Sequence, residues 1–299
     1  IMSEFLLELY SEEIPPKLQI SARTQLKEQL ESLLHDEEIH YEECLVYSNP
    51  TRLSFYIKAI QKEIKIKGRE IKGPRVGVSE NIIQGFSKSN AASEKDLFKK
   101  KTEKGEFYFL KISEKNILVE NLLTNIVPKA ISSINWKKSM KWSTNNLMWG
   151  RPLRSIFAIF NEKRLPFKFH HLESTDCIFV DQDLILKNQK IKNFKDYSLF
   201  LKNNQIVLDQ NERQKIILKK FNSILKLKNY KEQFNNNLLE EVVNIVENPN
   251  VLLVNFDKDY LKIPKEIIIS TLEKHQRYFP IFDNRGKLTN HFFVVANKK

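Results

Sequence analysis

At 299 residues, 41% hydrophobic and 29% charged, the chain has the composition of a globular protein and the length of two domains. No apolar run approaches the roughly 18 residues that cross a bilayer. Glu4 and Glu8 interrupt the first apolar stretch, and Cys44 and Cys177 give neither a disulfide framework nor a zinc spacing. These features argue against a disulfide-stapled or helix-spanning protein, and a cytoplasmic protein with no membrane partner is the expectation that fits best. A net charge of +12 and a pI near 9.4 suggest a polyanionic partner. The competing reading is compositional: 39 Lys against 10 Arg, among many Ile and Asn, is what an AT-rich genome produces without selection for binding.

In chain order, Phe5 to Tyr10 reads as a strand. Pro15-Pro16 then opens a helix with Leu18, Ala22, Leu26, Leu30 and Leu33 on one face. Cys44 to Tyr47 and Arg52 to Ile60 are strands around an Asn49-Pro50 turn. This β-α-β-β order predicts an α+β fold with mainly antiparallel sheets. Gln61 to Lys72 alternates Ile with Lys or Glu, as an exposed ribbon does, and Ser79 to Asn90 is a short helix. Lys99-Lys100-Lys101 reads as a solvated loop and Phe107 to Ile112 as a strand. Val119 to Ile134 is a helix that must kink or restart at Pro128. Ile156 to Phe160 and Leu165 to Phe169 form a hairpin around Asn161-Glu162-Lys163.

The texture changes near residue 170, which divides the chain into 2–170 and 171–299. In the second part Asn193 to Lys202 is a helix and Ile206 to Leu208 a short strand. Asp209 caps a helix over Glu212 to Leu227. A further helix runs into Asn248-Pro249-Asn250, and Val251 to Val254 is a strand. A last helix starts after Ile263-Pro264 and ends at Lys274-His275-Gln276-Arg277-Tyr278-Phe279, before a turn at Gly286 and a final strand, His291 to Val295.

No phosphate-binding or dinucleotide fingerprint and no Gly-x-Ser-x-Gly elbow occurs, so no catalytic residue is assigned. Adjacent His170 and His171 point to opposite faces if they lie on a strand, which argues against a metal site there. Lys137, Lys138 and Lys141 beside Trp142, and Arg151 and Arg154 after Trp149, interleave cations with rings, as phosphate-gripping and base-stacking surfaces do. The alternative is a solvated basic loop whose tryptophans pack in the core. Ile268, Leu272, His275 and Phe279 share helical spacing. His275 is therefore expected to be a buried imidazole pinning the helix to the following hairpin, with Gln276, Tyr278 and Phe279 in the same motif, rather than a group touching a ligand beside Arg277.

Taken together, these strings resemble the β subunit of bacterial tetrameric glycyl-tRNA synthetases. The resemblance is carried by Leu7-Glu8-Leu9-Tyr10-Ser11-Glu12-Glu13-Ile14-Pro15, by Asn49-Pro50-Thr51-Arg52-Leu53, and by Lys72-Gly73-Pro74. Gly85-Phe86-Ser87-Lys88, Lys138-Ser139-Met140-Lys141-Trp142, Arg151-Pro152-Leu153 and His275-Gln276-Arg277-Tyr278-Phe279 continue it in order. Thr51 and Lys141 stand where that family has arginine, which removes bidentate phosphate recognition at both positions. The resemblance implies the front part of such a subunit, without its HD-like and anticodon-binding domains. It implies a partner α subunit that carries the ATP- and Mg-dependent class II site, and a tRNA(Gly) substrate. On this reading the chain holds no cofactor, engages tRNA, with Lys137, Lys138, Lys141, Trp142, Arg151, Arg154 and Arg277 as candidate contacts, and supports the α subunit. A hydrolytic editing module and a pure scaffold for the α subunit are the alternatives.

Overall fold

The computed structural model describes residues 2–66, 68–90, 92–112, 114–141, 146–182 and 185–297. The first elements are β1 (Met2–Ser11), α1 (Pro16–Asp36), β2 (Cys44–Asn49), β3 (Arg52–Gln61), β4 (Glu63–Ile66), β5 (Arg69–Arg75) and α2 (Glu80–Ser89). Then come β6 (Leu97–Thr102), β7 (Gly105–Ile112), β8 (Lys115–Leu118), α3 (Val119–Ser132), β9 (Met140–Lys141) and β10 (Met148–Trp149). The middle of the chain forms β11 (Leu153–Phe160), β12 (Lys163–Arg164), β13 (Lys168–Phe169), β14 (Leu172–Thr175), β15 (Cys177–Gln182) and β16 (Ile185–Lys190). The last elements are α4 (Phe194–Asn203), α5 (Gln210–Lys228), α6 (Asn236–Val243), β17 (Pro249–Asn255), α7 (Lys265–Ser270), β18 (Phe279–Phe282) and β19 (Leu288–Asn297). The fold is α+β, and among the described residues every strand pair is antiparallel except β11 with β14.

The chain separates into two compact units, but not at residue 170. Residues 62–121 form one; residues 2–61 and 122–299 form the other. In the larger unit the main sheet runs β13-β14-β11-β1-β3-β2, with β12 on the β11 edge. Strand β1 is central and covered on both faces, which is why it reads as a continuous apolar run rather than an alternation. Helix α1 packs on β2 and β3 through Leu18, Ala22, Leu26, Leu30 and Leu34. Pro16 occupies a first-turn position, where its missing N–H costs nothing. The opposite face of the sheet offers Leu6, Tyr56, Phe157 and Ile159, which pack with Ile178 and Val180 of β15, Ile191, and Tyr197, Phe200 and Leu201 of α4. Asn193 caps α4 by accepting from the Asp196 amide, as Asp209 caps α5 by accepting from Asn211.

A second core joins Ile217, Phe221 and Leu225 of α5 and Leu238, Leu239, Val242 and Val243 of α6 to the β17-β19-β18 sheet through Val251, Phe279, Ile281 and Phe293. A buried arginine ties this core to the main sheet. Arg213 lies four residues before Ile217 on the same stripe of α5. It donates to Ser48 O (2.7 Å), Val243 O (2.9 Å), Val207 O (2.7 Å) and Leu208 O (2.8 Å). Burial, with Arg23 nearby, lowers its pKa to about 10, and four carbonyl acceptors replace the water it has lost. Gln19 adds a second tie, donating to both Ile14 O and Asn244 O at 2.7 Å. These long-range bonds make residues 171–299 part of the larger unit, so no seam falls near residue 170.

In the smaller unit β4 pairs with β8, and β5-β7-β6 form a three-stranded sheet. Lys99, Lys100 and Lys101 lie in β6, not in a loop: Gly105, at φ +116°, closes a tight turn that folds them back on β7. Gln61 to Lys72 is not one ribbon but parts of three strands. Pro128 lies inside α3, which neither stops nor restarts there. Ile206 to Leu208 forms no strand; its carbonyls at 207 and 208 turn to Arg213 instead.

Candidate functional site

The most highly charged interior lies on the α4 side of the main sheet. Glu8 of β1 stands opposite Ser54 of β3, and Tyr197 of α4 reaches down between them. The Tyr197 hydroxyl is 2.7 Å from Ser54 Oγ and donates to Glu8 Oε2. Arg52 Nε pairs with the same carboxylate oxygen at 3.2 Å, with both side chains at most 2% exposed. Arg52 Nη1 donates to Thr51 Oγ1 at 2.9 Å and faces Glu247 at 3.5 Å, while Nη2 donates to the Phe179 carbonyl. The guanidinium also lies 4.8 Å from the centroid of the Tyr10 ring. Burial pushes the Glu8 carboxyl up in pKa, against the pull of Arg52 and Tyr197. Burial pushes the Tyr197 phenol well up as well, so it remains a donor. A dry ion pair of this kind survives because nearly every remaining donor and lone pair is occupied.

Above it opens a polar cavity of about 240 Å³, lined by Arg52, Tyr10, Thr51 and Glu247 below and by Glu12, Glu13, Asp181 and Arg154 nearer solvent. Its lining contains no histidine or cysteine, and the Ser11 hydroxyl donates to its neighbour's carbonyl. The arrangement ties the ends of β1, β3 and β15 together and offers a polar recess; in it the Thr51 hydroxyl donates to Glu247 Oε1 at 3.2 Å while accepting from Arg52 Nη1, so both sides of that oxygen are engaged.

The predicted cations separate into paired and unpaired groups. Arg154 sits at the cavity rim, 2.8 Å from Glu12 and 3.7 Å from Asp181. Arg277 Nε donates to Glu241 at 2.8 Å, and its Nη1 to the Lys274 carbonyl. Arg151 donates to the Gly150 carbonyl at 3.1 Å. Lys137, Lys138 and Lys141 are exposed, and among the described residues none has an acidic partner. Trp142 lies outside the described residues. The flanking tryptophans are packed: Trp136 and Trp149 are buried with ring centroids 4.9 Å apart. Gly150 is required there, since a Cβ would stand 2.3 Å from the Trp136 ring. Lys137 and Lys138 thus follow buried Trp136 directly, and Lys141 lies in β9, whose partner β10 carries buried Trp149.

The His275 expectation is corrected. His275 is exposed, and no hydrogen bond of its imidazole exists among the described residues. Its helix changes from α to π at Thr271, and the wider turn carries His275 off the stripe that ends at buried Leu272. Gln276 is exposed as well. Arg277 adopts the left-handed conformation (φ 60°) and the Tyr278 amide returns to Leu272 O at 2.9 Å, a closed C-terminal cap made without glycine. The rest of the motif does pack. Phe279 is fully buried against Phe221, centroids 4.9 Å apart, and Tyr278 stacks on Phe292 at 5.2 Å. His170 and His171 are exposed in the turn before β14, with His170 at φ 52°.

Glu8, Arg213 and Tyr197 are missing from the sequence-level candidates. The signal for Glu8 was a carboxylate inside an otherwise apolar central strand, and for Arg213 a cation on the apolar stripe of α5. Tyr197 carries no such signal, because a tyrosine on an inward helix face is ordinary.

Residues 5–299 match the sequence profile of the glycyl-tRNA synthetase beta subunit, a component of an aminoacyl-tRNA synthetase. The chain belongs to that family. It is 32% identical over 298 residues to the glycine–tRNA ligase beta subunit of Rickettsia felis, covering 99% of this chain and 45% of that protein. It is 33% identical over 304 residues to that of Clostridioides difficile (99% and 44%), and 32% identical over 304 residues to that of Listeria monocytogenes (98% and 44%). The chain therefore spans less than half the length of the curated relatives it matches.

Proposed function

We propose that this chain is a noncatalytic, tRNA-engaging part of glycine–tRNA ligase, which joins glycine to tRNA(Gly) with ATP, and that it supports the α subunit that carries the chemistry. Family membership supplies the reaction. The observation that carries the tRNA-engaging role is the exposed trio Lys137, Lys138 and Lys141, free of acidic partners among the described residues and flanked by the packed Trp136 and Trp149 at the β9–β10 hairpin and the segment leading into it. Such a cluster exchanges bound counterions for phosphates at little conformational cost. Arg154 and Arg277 contribute less, because each would have to leave a carboxylate 2.8 Å away. In the cavity over Arg52 and Glu8 the Thr51 hydroxyl is held between Glu247 and the Arg52 guanidinium, which supports a positioning role over a hydrolytic one. Fluorescence anisotropy with labelled tRNA(Gly) tests the assignment. K137E/K138E/K141E should weaken binding by about tenfold or more while circular dichroism and melting stay unchanged. Equal affinity in the folded variant would sink the role given to this hairpin.

A further inference from the structure

Residues 62–121 carry 14 basic against nine acidic side chains, a net +5 of the chain's +12. On one face of the β5-β7-β6 sheet some of those cations stand among phenylalanine rings. The register places Lys72 opposite Phe109 and Arg75 opposite Phe107 on one side of β7. On the other side Lys100 stands opposite Phe107 and Phe98 opposite Phe109. Alternation then puts Lys72, Arg75, Lys100 and Lys111, with Glu70, on one face with Phe98, Phe107 and Phe109, while Ile71, Leu97 and Leu110 take the other beside Tyr108, Lys99 and Lys101. The ammonium of Lys72 lies 3.7 Å above the centroid of the Phe107 ring, and that of Lys100 lies 5.5 Å from the Phe109 centroid. Phe109 is buried, whereas half-buried Phe107 turns its π face toward the exposed and flexible Lys72 side chain. Lys100 also pairs with Glu70 at 2.6 Å, whereas Lys72, Arg75 and Lys111 have no acidic partner among the described residues. The guanidinium of Arg75 lies over Gly105, where a Cβ would come within 3.0 Å of it.

We infer that this sheet face is a binding surface for an unpaired RNA segment: a base takes the place of the Lys72 ammonium on the Phe107 ring, and the displaced lysine, with Arg75 and Lys111, holds the flanking phosphates. The choice of a single strand follows from the rings. A duplex meets a surface with phosphates alone and gives Phe107 nothing to stack on, whereas an unpaired base has a free π face. Charge complementarity supplies the rest of the attraction and makes it salt-dependent. The inference rests on the reading that the chain engages tRNA and adds a second place at which it does so, separate in sequence from Lys137, Lys138 and Lys141.

The test uses the whole chain, a fluorescein-labelled 12-nucleotide single-stranded RNA of mixed sequence, and a blunt RNA duplex of the same length. F107L keeps an apolar side chain in the sheet and removes the π face. It should lower single-strand affinity about fivefold or more and leave duplex affinity within twofold. K72Q/R75Q should weaken binding of both probes and flatten the salt dependence of each, with the melting temperature reporting an intact fold. K137E/K138E/K141E should keep single-strand affinity. If F107L binds the single strand as wild type does, or the wild-type chain binds the duplex as tightly as the single strand, the sheet is not a base-stacking surface. If single-strand binding fails in wild type while tRNA(Gly) binding persists and depends on Lys137, Lys138 and Lys141, this inference falls and the proposed function stands. Loss of all RNA binding in wild type removes both.

Discussion

Arg52 and Glu8 sit where an uncompensated charge is most expensive. Removing one member strands the other, so R52M should lower stability by about 3–5 kcal/mol, measured by urea unfolding at pH 7.5. Its pH dependence identifies the cause. Burial already raises the Glu8 pKa with Arg52 present, and without Arg52 it rises further. Between the unfolded carboxyl value of about 4.3 and the raised folded one, the folded variant binds a proton that the unfolded chain does not. The variant therefore gains stability as pH falls through that window, and its deficit should shrink between pH 7.5 and 5.5. A deficit that stays constant with pH would mean that lost packing, not a stranded carboxylate, is responsible. In the His-Gln-x-Tyr-Phe string the energetic weight lies at the other end from the histidine. Exposed His275 should tolerate alanine within about 0.5 kcal/mol, whereas F279A, against Phe221, should cost about 3–5 kcal/mol. Comparable losses for both would restore the imidazole as a structural pin.

At the scale of elements, legibility followed local signals. Helices α1, α4 and α5 announce themselves by proline, Asn193 and Asp209 at their starts and by apolar spacing. The π-turn at Thr271 announces nothing, because 3.6-residue periodicity assumes the helix it continues, and that assumption put His275 indoors. Lys99-Lys100-Lys101 looked like a loop because three adjacent lysines hide the alternation that hairpin pairing imposes. The β15–β16 hairpin went unread because its polar outer strand, Ile185–Lys190, lacks apolar alternation. The turn at Asn161 was legible, but the strand that returns along β11 is Lys163–Arg164 and not Leu165 to Phe169, whose end, Lys168–Phe169, pairs with β14; the second residue of the turn is also a poor choice. Asn161 and Glu162 both hold positive φ, 50° and 63°, between paired Phe160 and Lys163, the geometry that favours Asn-Gly. E162G should raise stability by about 0.5–1 kcal/mol, the relief of left-handed strain less the added flexibility of the unfolded chain. A lower melting temperature would show that the Glu162 side chain stabilises the turn by a contact of its own.

For the whole molecule, the division into units was the least legible feature. A nested unit leaves no compositional seam when the chain enters directly after β3 and leaves at the start of α3. The long-range ties of Arg213 and Gln19 that hold residues 171–299 to the main sheet join positions up to 225 apart. Charge was legible as a total but not as a map. Arg154 and Arg277 are neutralised locally, as is Lys100 by Glu70, while Lys137, Lys138 and Lys141, and Lys72, Arg75 and Lys111 of the β5-β7-β6 face, have no acidic partner among the described residues. The measurement that bears most directly on the central claim is the affinity of the purified chain for tRNA(Gly) as a function of salt. Each phosphate neutralised contributes a log–log slope of roughly 0.7–0.9. Engagement through the lysine hairpin and the sheet face should give a slope of several units, falling by about two in K137E/K138E/K141E. A slope near zero, unchanged in that variant, would mean that the +12 charge is compositional and that the chain does not hold tRNA by its phosphates.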